Sequence, residues 1–185
     1  MKKSFTIGYV ATAITPYFAE EYKVRERSEE NLKKILKDYD VELLSYNKTV
    51  FTKEDSEDAA NFFKDKIDFL LLQTSSCSAG DQLYPLCNIT KKMGLWAVPD
   101  IEKEGDVKLH SLVSVSHYLG IIKKTLSDKK IKTKWFYNYA DTDEFKNKFL
   151  ITVKSLIAQK KLKQSRIGLV GGISPGFDNM LVDNE

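Results

Sequence analysis

At 185 residues the chain is long enough to bury the core of one domain, or of one domain and the beginning of a second. Hydrophobic residues make up 42% of it and charged residues 30%, which is typical of a globular protein and excludes a disordered one. The 29 basic and 26 acidic residues leave a net charge of +3, too weak and too mixed to predict nucleic-acid binding. No stretch is apolar for long enough to form a signal peptide or cross a membrane, so we expect a cytoplasmic protein.

Strand-like and helical patterns alternate along the chain. The first strand is predicted over Phe5 to Thr12, because this stretch contains β-branched and aromatic residues and runs into a polar loop. A helix follows it, with Leu32, Ile35 and Leu36 at helical spacing. The remaining predicted strands are 41–46, 67–72, 95–98 and 133–139, and the predicted helices are 24–39, 55–66, 81–93, 112–126 and 143–161.

Five rounds of strand and helix predict the class of fold. Such alternation favours a doubly wound, mostly parallel sheet, because right-handed crossovers place helices on both faces of it. The expected architecture is a three-layer α/β/α sandwich of the Rossmann-like or flavodoxin-like kind. We expect this domain to span residues 1–164.

The stretch from Ile67 to Gly80 is the centre of the predicted sheet. An apolar run from Ile67 to Leu72, interrupted at Asp68, ends in a polar run rich in hydroxyl groups. Because ligands bind at the carboxyl ends of parallel strands, these hydroxyl groups are the first candidates for a binding site. A structural interpretation is equally good, since Ser78 could cap the next helix with Asp81 in its first turn.

Few side chains are typical of a catalytic or metal site. The histidines are His110, expected in a loop, and His117, expected on a helix surface, and no triad, dyad or metal cluster is visible. Trp96 is expected in the core, with an aromatic wall at a sugar site as the alternative. Arg25 is expected as a solvated helix charge, or as a ligand for an anion or a hydroxylated molecule.

The two cysteines do not predict a metal or redox site. Cys77 and Cys87 lie ten residues apart, which is neither a zinc-knuckle nor a CxxC spacing. We expect both thiols to be reduced and structural.

The last twenty residues predict the beginning of a second unit. Residues 166–172 have the pattern of a new buried strand, and a loop rich in glycine and proline follows without a helix to cover it. We therefore assign 165–185 to the first strand and loop of a second, truncated α/β domain. The run GLVGGISPG lacks the spacing of a dinucleotide loop and the Lys-Ser/Thr pair of a phosphate loop.

Four stretches together resemble the amino-terminal region of the L-fucose and L-arabinose isomerase family, especially its fucose-isomerase-like branch. They are TPYFAEEYKVRERSEENL, LLLQTSSCSAGDQLYPL, GLWAVPD with GDVKLHSL, and RIGLVGGISPGFDNM. The resemblance implies an aldose–ketose isomerase that uses a divalent metal, typically Mn²⁺, in which carboxylates move a proton between neighbouring carbons. It also implies that the metal ligands lie beyond this chain, so we expect no catalytic or metal-binding residue within it and no activity from these 185 residues alone.

The same resemblance implies a role for this segment in a homo-oligomer, a trimer or a hexamer. In the family the first domain helps to wall the sugar pocket of a neighbouring subunit, and by that similarity Arg25, Trp96 and His110 are the expected substrate-binding residues. The chain departs from the family in HSLVSVSHYLG, where His110 stands in the place of an asparagine and Val113 in that of a cysteine. This departure leaves the identity of the sugar open.

An alternative function belongs to a different class. The chain could be a stand-alone sugar-binding or regulatory module of the same fold, since a fold does not determine a function. The absence of catalytic groups from the sequence favours this alternative, and sugar binding without a partner domain would distinguish it.

Overall fold

A computed structural model describes residues 3–102, 104–166 and 175–177. Five strands and five α-helices alternate in it, with short 3₁₀ turns before α3 and after α4. The strands are β1 Phe5–Thr12, β2 Val41–Ser45, β3 Phe69–Thr74, β4 Lys92–Ala97 and β5 Lys132–Tyr137. The helices are α1 Val24–Leu36, α2 Lys53–Phe63, α3 Leu83–Leu86, α4 Ser111–Lys124 and α5 Asp143–Gln164.

The strands form one sheet in the order β2-β1-β3-β4-β5, and every pair in it is parallel. This is the strand order of flavodoxin-like folds, in which the direction of winding reverses between β1 and β3. The predicted doubly wound α/β fold is therefore confirmed. The carboxyl ends of all five strands lie at one edge of the sheet, which we call the carboxyl edge, and their beginnings lie at the opposite, amino edge.

Helices cover both faces of the sheet, and each face has its own core. Tyr9, Trp96 and Phe136 belong to the core beneath α1 and α5. Leu70, Leu72 and Leu95 belong to the core beneath α2, α3 and α4. β3 is buried along its whole length, as its unbroken apolar run predicts for a central parallel strand.

The predicted helix over 81–93 is wrong. α3 spans only Leu83–Leu86, and β4 begins at Lys92, three residues before the predicted strand. Gly94, which directly follows the predicted helix, is a residue of β4. A Cβ atom there would lie 2.7 Å from Phe69 Cζ and 2.9 Å from Phe136 Cε2. Close packing of two aromatic rings therefore explains this glycine.

Ser78 does not cap the following turn, so the capping interpretation is also wrong. The residue before the 3₁₀ turn is Ala79, whose N–H donates to Gln82 Oε1 at 3.2 Å. The hydroxyl of Ser78 instead lies 2.9 Å from that of Thr12 and donates to Ser76 O at 3.1 Å.

Two further predictions concern the ends of the chain and the membrane. The predicted strand over 166–172 lies, except for Arg166, outside the described residues, and so does most of the proposed second domain. Among the helices that the structure describes, none combines the length and apolar character needed to cross a membrane.

Candidate functional site at the carboxyl edge

Three loops that are far apart in the sequence meet at the carboxyl edge. They follow β1, β3 and β4, and the third of these runs from Val98 to His110. Phe18 N donates to Lys108 O at 3.2 Å, and Cys77 N donates to Leu109 O at 2.6 Å. The loop after β4 is therefore bonded to both of the other loops through its last residues.

Asp100 organises the loop that follows β4. One carboxylate oxygen accepts the N–H groups of Ile101 at 3.0 Å and Lys108 at 3.1 Å, and the other accepts those of Leu109 at 2.8 Å and His110 at 3.1 Å. Burial alone raises the pKa of Asp100, but these four backbone hydrogen bonds outweigh it and hold the pKa below its ordinary value of 3.8. The charged carboxylate thus closes the loop and holds the backbone of His110.

His110 is presented to solvent at the beginning of α4. Its backbone is left-handed, with φ 55° and ψ 31°, in the N-cap position, and its side chain is exposed. The imidazole stacks on the ring of Tyr17, with the centroids 6.2 Å apart and the planes inclined by 7°. Burial and then the neighbouring Cys77 raise the pKa of the Tyr17 hydroxyl.

A cleft of about 300 Å³ lies next to His110. Asp100, His110 and Ser111 are its polar residues, and its other walls are largely apolar. Those walls are formed by Val98, Val107, Leu112, Val113 and Tyr137. Two larger grooves, of about 480 and 500 Å³, run between α1 and α5 and beside the end of α4. We take the smaller cleft as the candidate site because it lies at the carboxyl ends of β4 and β5, next to His110.

The hydroxyl-rich run after β3 holds the edge together rather than facing the cleft. Thr74, Ser75, Ser76 and Ser78 are all buried, and each hydroxyl has a partner within the protein. Thr74 Oγ1 lies 3.0 Å from Ser111 Oγ, which also accepts the N–H of Val98 at 3.0 Å. These bonds join the ends of β3 and β4 to the first turn of α4.

Arg25, in the first turn of α1, and Trp96, near the end of β4, are not among the residues that line the cleft beside His110. The side chain of Arg25 is 13% exposed and is paired with Glu26 at 2.7 Å and Glu29 at 3.1 Å. Tyr9 links the two residues, because its hydroxyl donates to Arg25 O at 3.2 Å and its ring centroid lies 6.3 Å from that of Trp96. Among the described residues, no hydrogen bond, ion pair or ring contact joins His110 to either of them.

Trp96 has no free ring face. Its exposed fraction is 0%, its indole N–H donates to Asn138 O at 2.8 Å, and its ring lies 4.5 Å from that of Phe145. Of the two interpretations that the sequence left open for Trp96, this burial favours the core.

Tyr17, Cys77 and Asp100 were not predicted as site residues from the sequence, and Cys77 was expected to be structural. Tyr17 and Cys77 belong to the stretches TPYF and TSSCS, whose polar and aromatic residues directly follow predicted strands. Their position after predicted strands could have indicated a site, because the loops that follow parallel strands lie at the same edge of the sheet. Asp100 is part of VPD, where a proline ends the strand just before a carboxylate.

The described residues do not form a metal site. Nowhere in that part of the chain do three or more His, Cys, Asp or Glu side chains come together in a group that could hold a metal ion. The carboxylate of Asp100 is already shared among four N–H groups, which leaves it poorly placed as a ligand.

The sheet order and the cleft at the strand ends define the chain as a flavodoxin-like α/β domain. No family model matches the chain, and no curated protein matches it. Among solved structures the chain is similar to an NADPH-quinone reductase from P. pentosaceus, with a TM-score of 0.35 and 9% sequence identity over 87% of this chain and 99% of that chain. A similarity at this level transfers no function from that protein.

Proposed function

We propose that this chain is the amino-terminal part of a metal-dependent aldose–ketose isomerase, in which it walls the sugar pocket and contributes oligomer contacts. The observation that supports the proposal is the meeting of three stretches at His110. The stretches that carry the resemblance to the fucose isomerases are separated in sequence, yet Phe18, Cys77 and Asp100 from them are all bonded to residues 108–110.

The cleft beside His110 suits a small hydroxylated ligand. Its apolar walls can pack against the C–H groups of a sugar, while the imidazole can donate or accept one hydrogen bond with a hydroxyl group. Stacking on Tyr17 and the bond from His110 N to Asp100 orient the imidazole before a ligand arrives. In this proposal the chain binds and orients the sugar.

The metal belongs to the part of the enzyme outside this chain. When bound there, Mn²⁺ would act as a Lewis acid and stabilise the charge that develops on the sugar. Arg25 has its guanidinium paired with two carboxylates and Trp96 has a buried ring, so in this proposal both stabilise the domain rather than contact the sugar.

The test uses the product of the whole uninterrupted reading frame that contains this chain. We expect it to isomerise one member of a panel of pentoses and hexoses when Mn²⁺ is added, and we expect the 185-residue chain alone to show no turnover. His110→Ala should raise KM by about tenfold, the equivalent of one lost hydrogen bond, and leave the affinity for Mn²⁺ unchanged.

His117→Ala is the matched control, because His117 is also exposed on α4 but does not line the cleft. Its KM should equal that of the unaltered protein. Isomerisation by the 185-residue chain would contradict the proposal, as would equal effects of the two histidine substitutions. Saturable binding of a sugar to the 185-residue chain, with no turnover by the whole frame, would instead support the stand-alone binding module.

A further inference from the structure

We propose that the amino edge of the sheet carries a binding site for a compact, multiply charged phosphate group. Four lysines from three separate segments form this site, which we call the lysine cluster: Lys92, Lys132, Lys160 and Lys163. It lies at the opposite ends of the strands from the cleft beside His110, so it does not depend on the sugar-isomerase proposal.

The sheet brings the first two lysines together. Lys92 and Lys132 begin β4 and β5 and are register partners, and Lys132 N donates to Lys91 O at 2.8 Å. Four residues further along, the register partners Trp96 and Phe136 both lie in the core beneath α5. Because side chains alternate along a strand, Lys92 and Lys132 project from this same face, on strands about 4.8 Å apart.

The end of α5 supplies the other two lysines. Lys160 Nζ donates to Ser4 O at 2.9 Å and to Asp68 Oδ2 at 2.8 Å. Since Ser4 and Asp68 directly precede β1 and β3, these bonds hold the last turns of α5 against the amino edge. Lys163 lies three residues further along the same helix.

Positive charge exceeds negative charge in this cluster. Asp68 pairs with Lys160, and the same oxygen also accepts the N–H of Thr6 at 2.9 Å. Within the described part of the chain, the other three lysines form no ion pair. The pKa of Lys92 is lowered by burial first and then by Lys163, while Lys132 and Lys160 act in the same direction and Asp68 opposes them. A bound anion would relieve this repulsion.

A purely structural role explains only part of the cluster. Lysines at the end of a helix interact favourably with its dipole, which accounts for Lys163, and lysines on edge strands discourage aggregation, which accounts for Lys132. Neither reason applies to Lys92, which lies half-buried at the start of an inner strand. The proposed phosphate site therefore depends mainly on the position of Lys92.

The arrangement favours a compact phosphate ligand. Each ammonium group is a point charge with three donors, which suits the oxygens of a phosphate group. Binding along a nucleic-acid backbone needs a line of cations, whereas these lysines are gathered around the starts of two adjacent strands. The expected ligand is thus a free polyphosphate or a phosphate ester.

Calorimetric titration of the 185-residue chain with inorganic tripolyphosphate, at constant ionic strength, tests the site. We expect one saturable binding event and a rise in melting temperature when the ligand is present. Lys92→Met should weaken binding by about tenfold, as expected for a lost charge-assisted hydrogen bond. In ligand-free buffer the same substitution should raise the melting temperature, because it removes a partly desolvated charge that like charges surround.

Lys53→Met is the matched control, since it makes the same change in net charge on α2, where Lys53 is 53% exposed and pairs with Glu57 at 3.5 Å. It should leave the affinity for tripolyphosphate unchanged. Equal losses of affinity in the two variants would overturn the proposal, because they would indicate attraction to net charge alone. Absence of saturable binding would also overturn it, and so would tighter binding of a single-stranded oligonucleotide at the same phosphate concentration.

Discussion

Asp100 is the single residue on which the geometry of the carboxyl edge depends most directly. An asparagine has the same shape but only one acceptor oxygen, so Asp100→Asn turns an NH₂ group toward two backbone N–H donors. We expect it to lower the free energy of unfolding by about 1–3 kcal/mol at neutral pH. Urea denaturation measures the loss, and Asp106→Asn, an exposed residue of the same loop, is the control and should be neutral.

The effect of Asp100→Asn should also depend on pH. Because the folded protein holds the pKa of Asp100 below 3.8, the carboxylate stabilises the fold above its unfolded pKa. That contribution is lost as the pH falls through the folded pKa. The difference between the two proteins should therefore be complete near neutral pH and should shrink at the acid end of the titration. A difference that stayed constant down to the acid limit would contradict this role of the charge.

A substitution of Trp96 tests whether this residue belongs to the core or to a sugar-binding site. Its ring is fully buried and packs on Phe145, so Trp96→Ala should lower the free energy of unfolding by about 3–5 kcal/mol. Trp96→Phe keeps most of the packing and should cost less. Thermal denaturation gives the comparison, and a normal melting temperature for the alanine variant would show that the ring is not part of the core.

Among the strands, β4 begins three residues earlier than its sequence pattern predicts. A substitution of Gly94 tests the close packing around the start of this strand. Gly94→Ala would place a Cβ atom 2.7 Å from Phe69 Cζ and 2.9 Å from Phe136 Cε2. We expect this overpacking to cost about 1–3 kcal/mol in the free energy of unfolding. Gly120→Ala is the control, because no atom lies within 4 Å of its added Cβ and alanine favours a helix by up to about 1 kcal/mol. In chemical denaturation, Gly94→Ala should lower the free energy of unfolding and Gly120→Ala should raise it. Changes of the same sign in the two variants would contradict the packing argument.

The helices differ in how clearly their sequences mark their ends. At α2, Thr52 Oγ1 accepts the N–H of Asp55 at 3.1 Å, and the Asp55 carboxylate accepts the N–H of Thr52 at 3.2 Å. This reciprocal capping explains why α2 begins at Lys53, two residues before the predicted start. α3 has no comparable signal and spans only four residues.

For the whole molecule, the sheet order predicts a gradient of stability. β1, β3 and β4 each pair with two neighbours and β3 is buried throughout, whereas β5 pairs only with β4 and has four exposed residues. Native-state hydrogen exchange should therefore be slowest in β1 and β3 and faster in β5, since edge strands open in smaller units. Exchange from β5 as slow as that from β3 would mean that another surface covers this edge.

The class of fold could be predicted from the sequence because it depends on patterns that repeat along the chain. Apolar runs such as Ile67 to Leu72 and helical spacing such as that of Leu32, Ile35 and Leu36 are local, and their alternation suffices for a doubly wound sheet. The loop position of His110 followed from the same patterns. The division of 81–93 into α3, a turn and the start of β4 could not be predicted, because no side-chain cap marks α3 and the strands that pair with β4 lie elsewhere in the chain.

The candidate site and the lysine cluster depend on contacts across the fold. The bond from Cys77 N to Leu109 O and the stacking of Tyr17 on His110 join residues far apart in sequence, so no window of the chain contains them. Burial of Trp96 likewise follows from the position of α5. The amino-acid pattern is thus sufficient to predict the α/β layers of this protein. Its two candidate sites are determined only by the tertiary structure, because the parallel sheet brings residues from separate segments together at its edges.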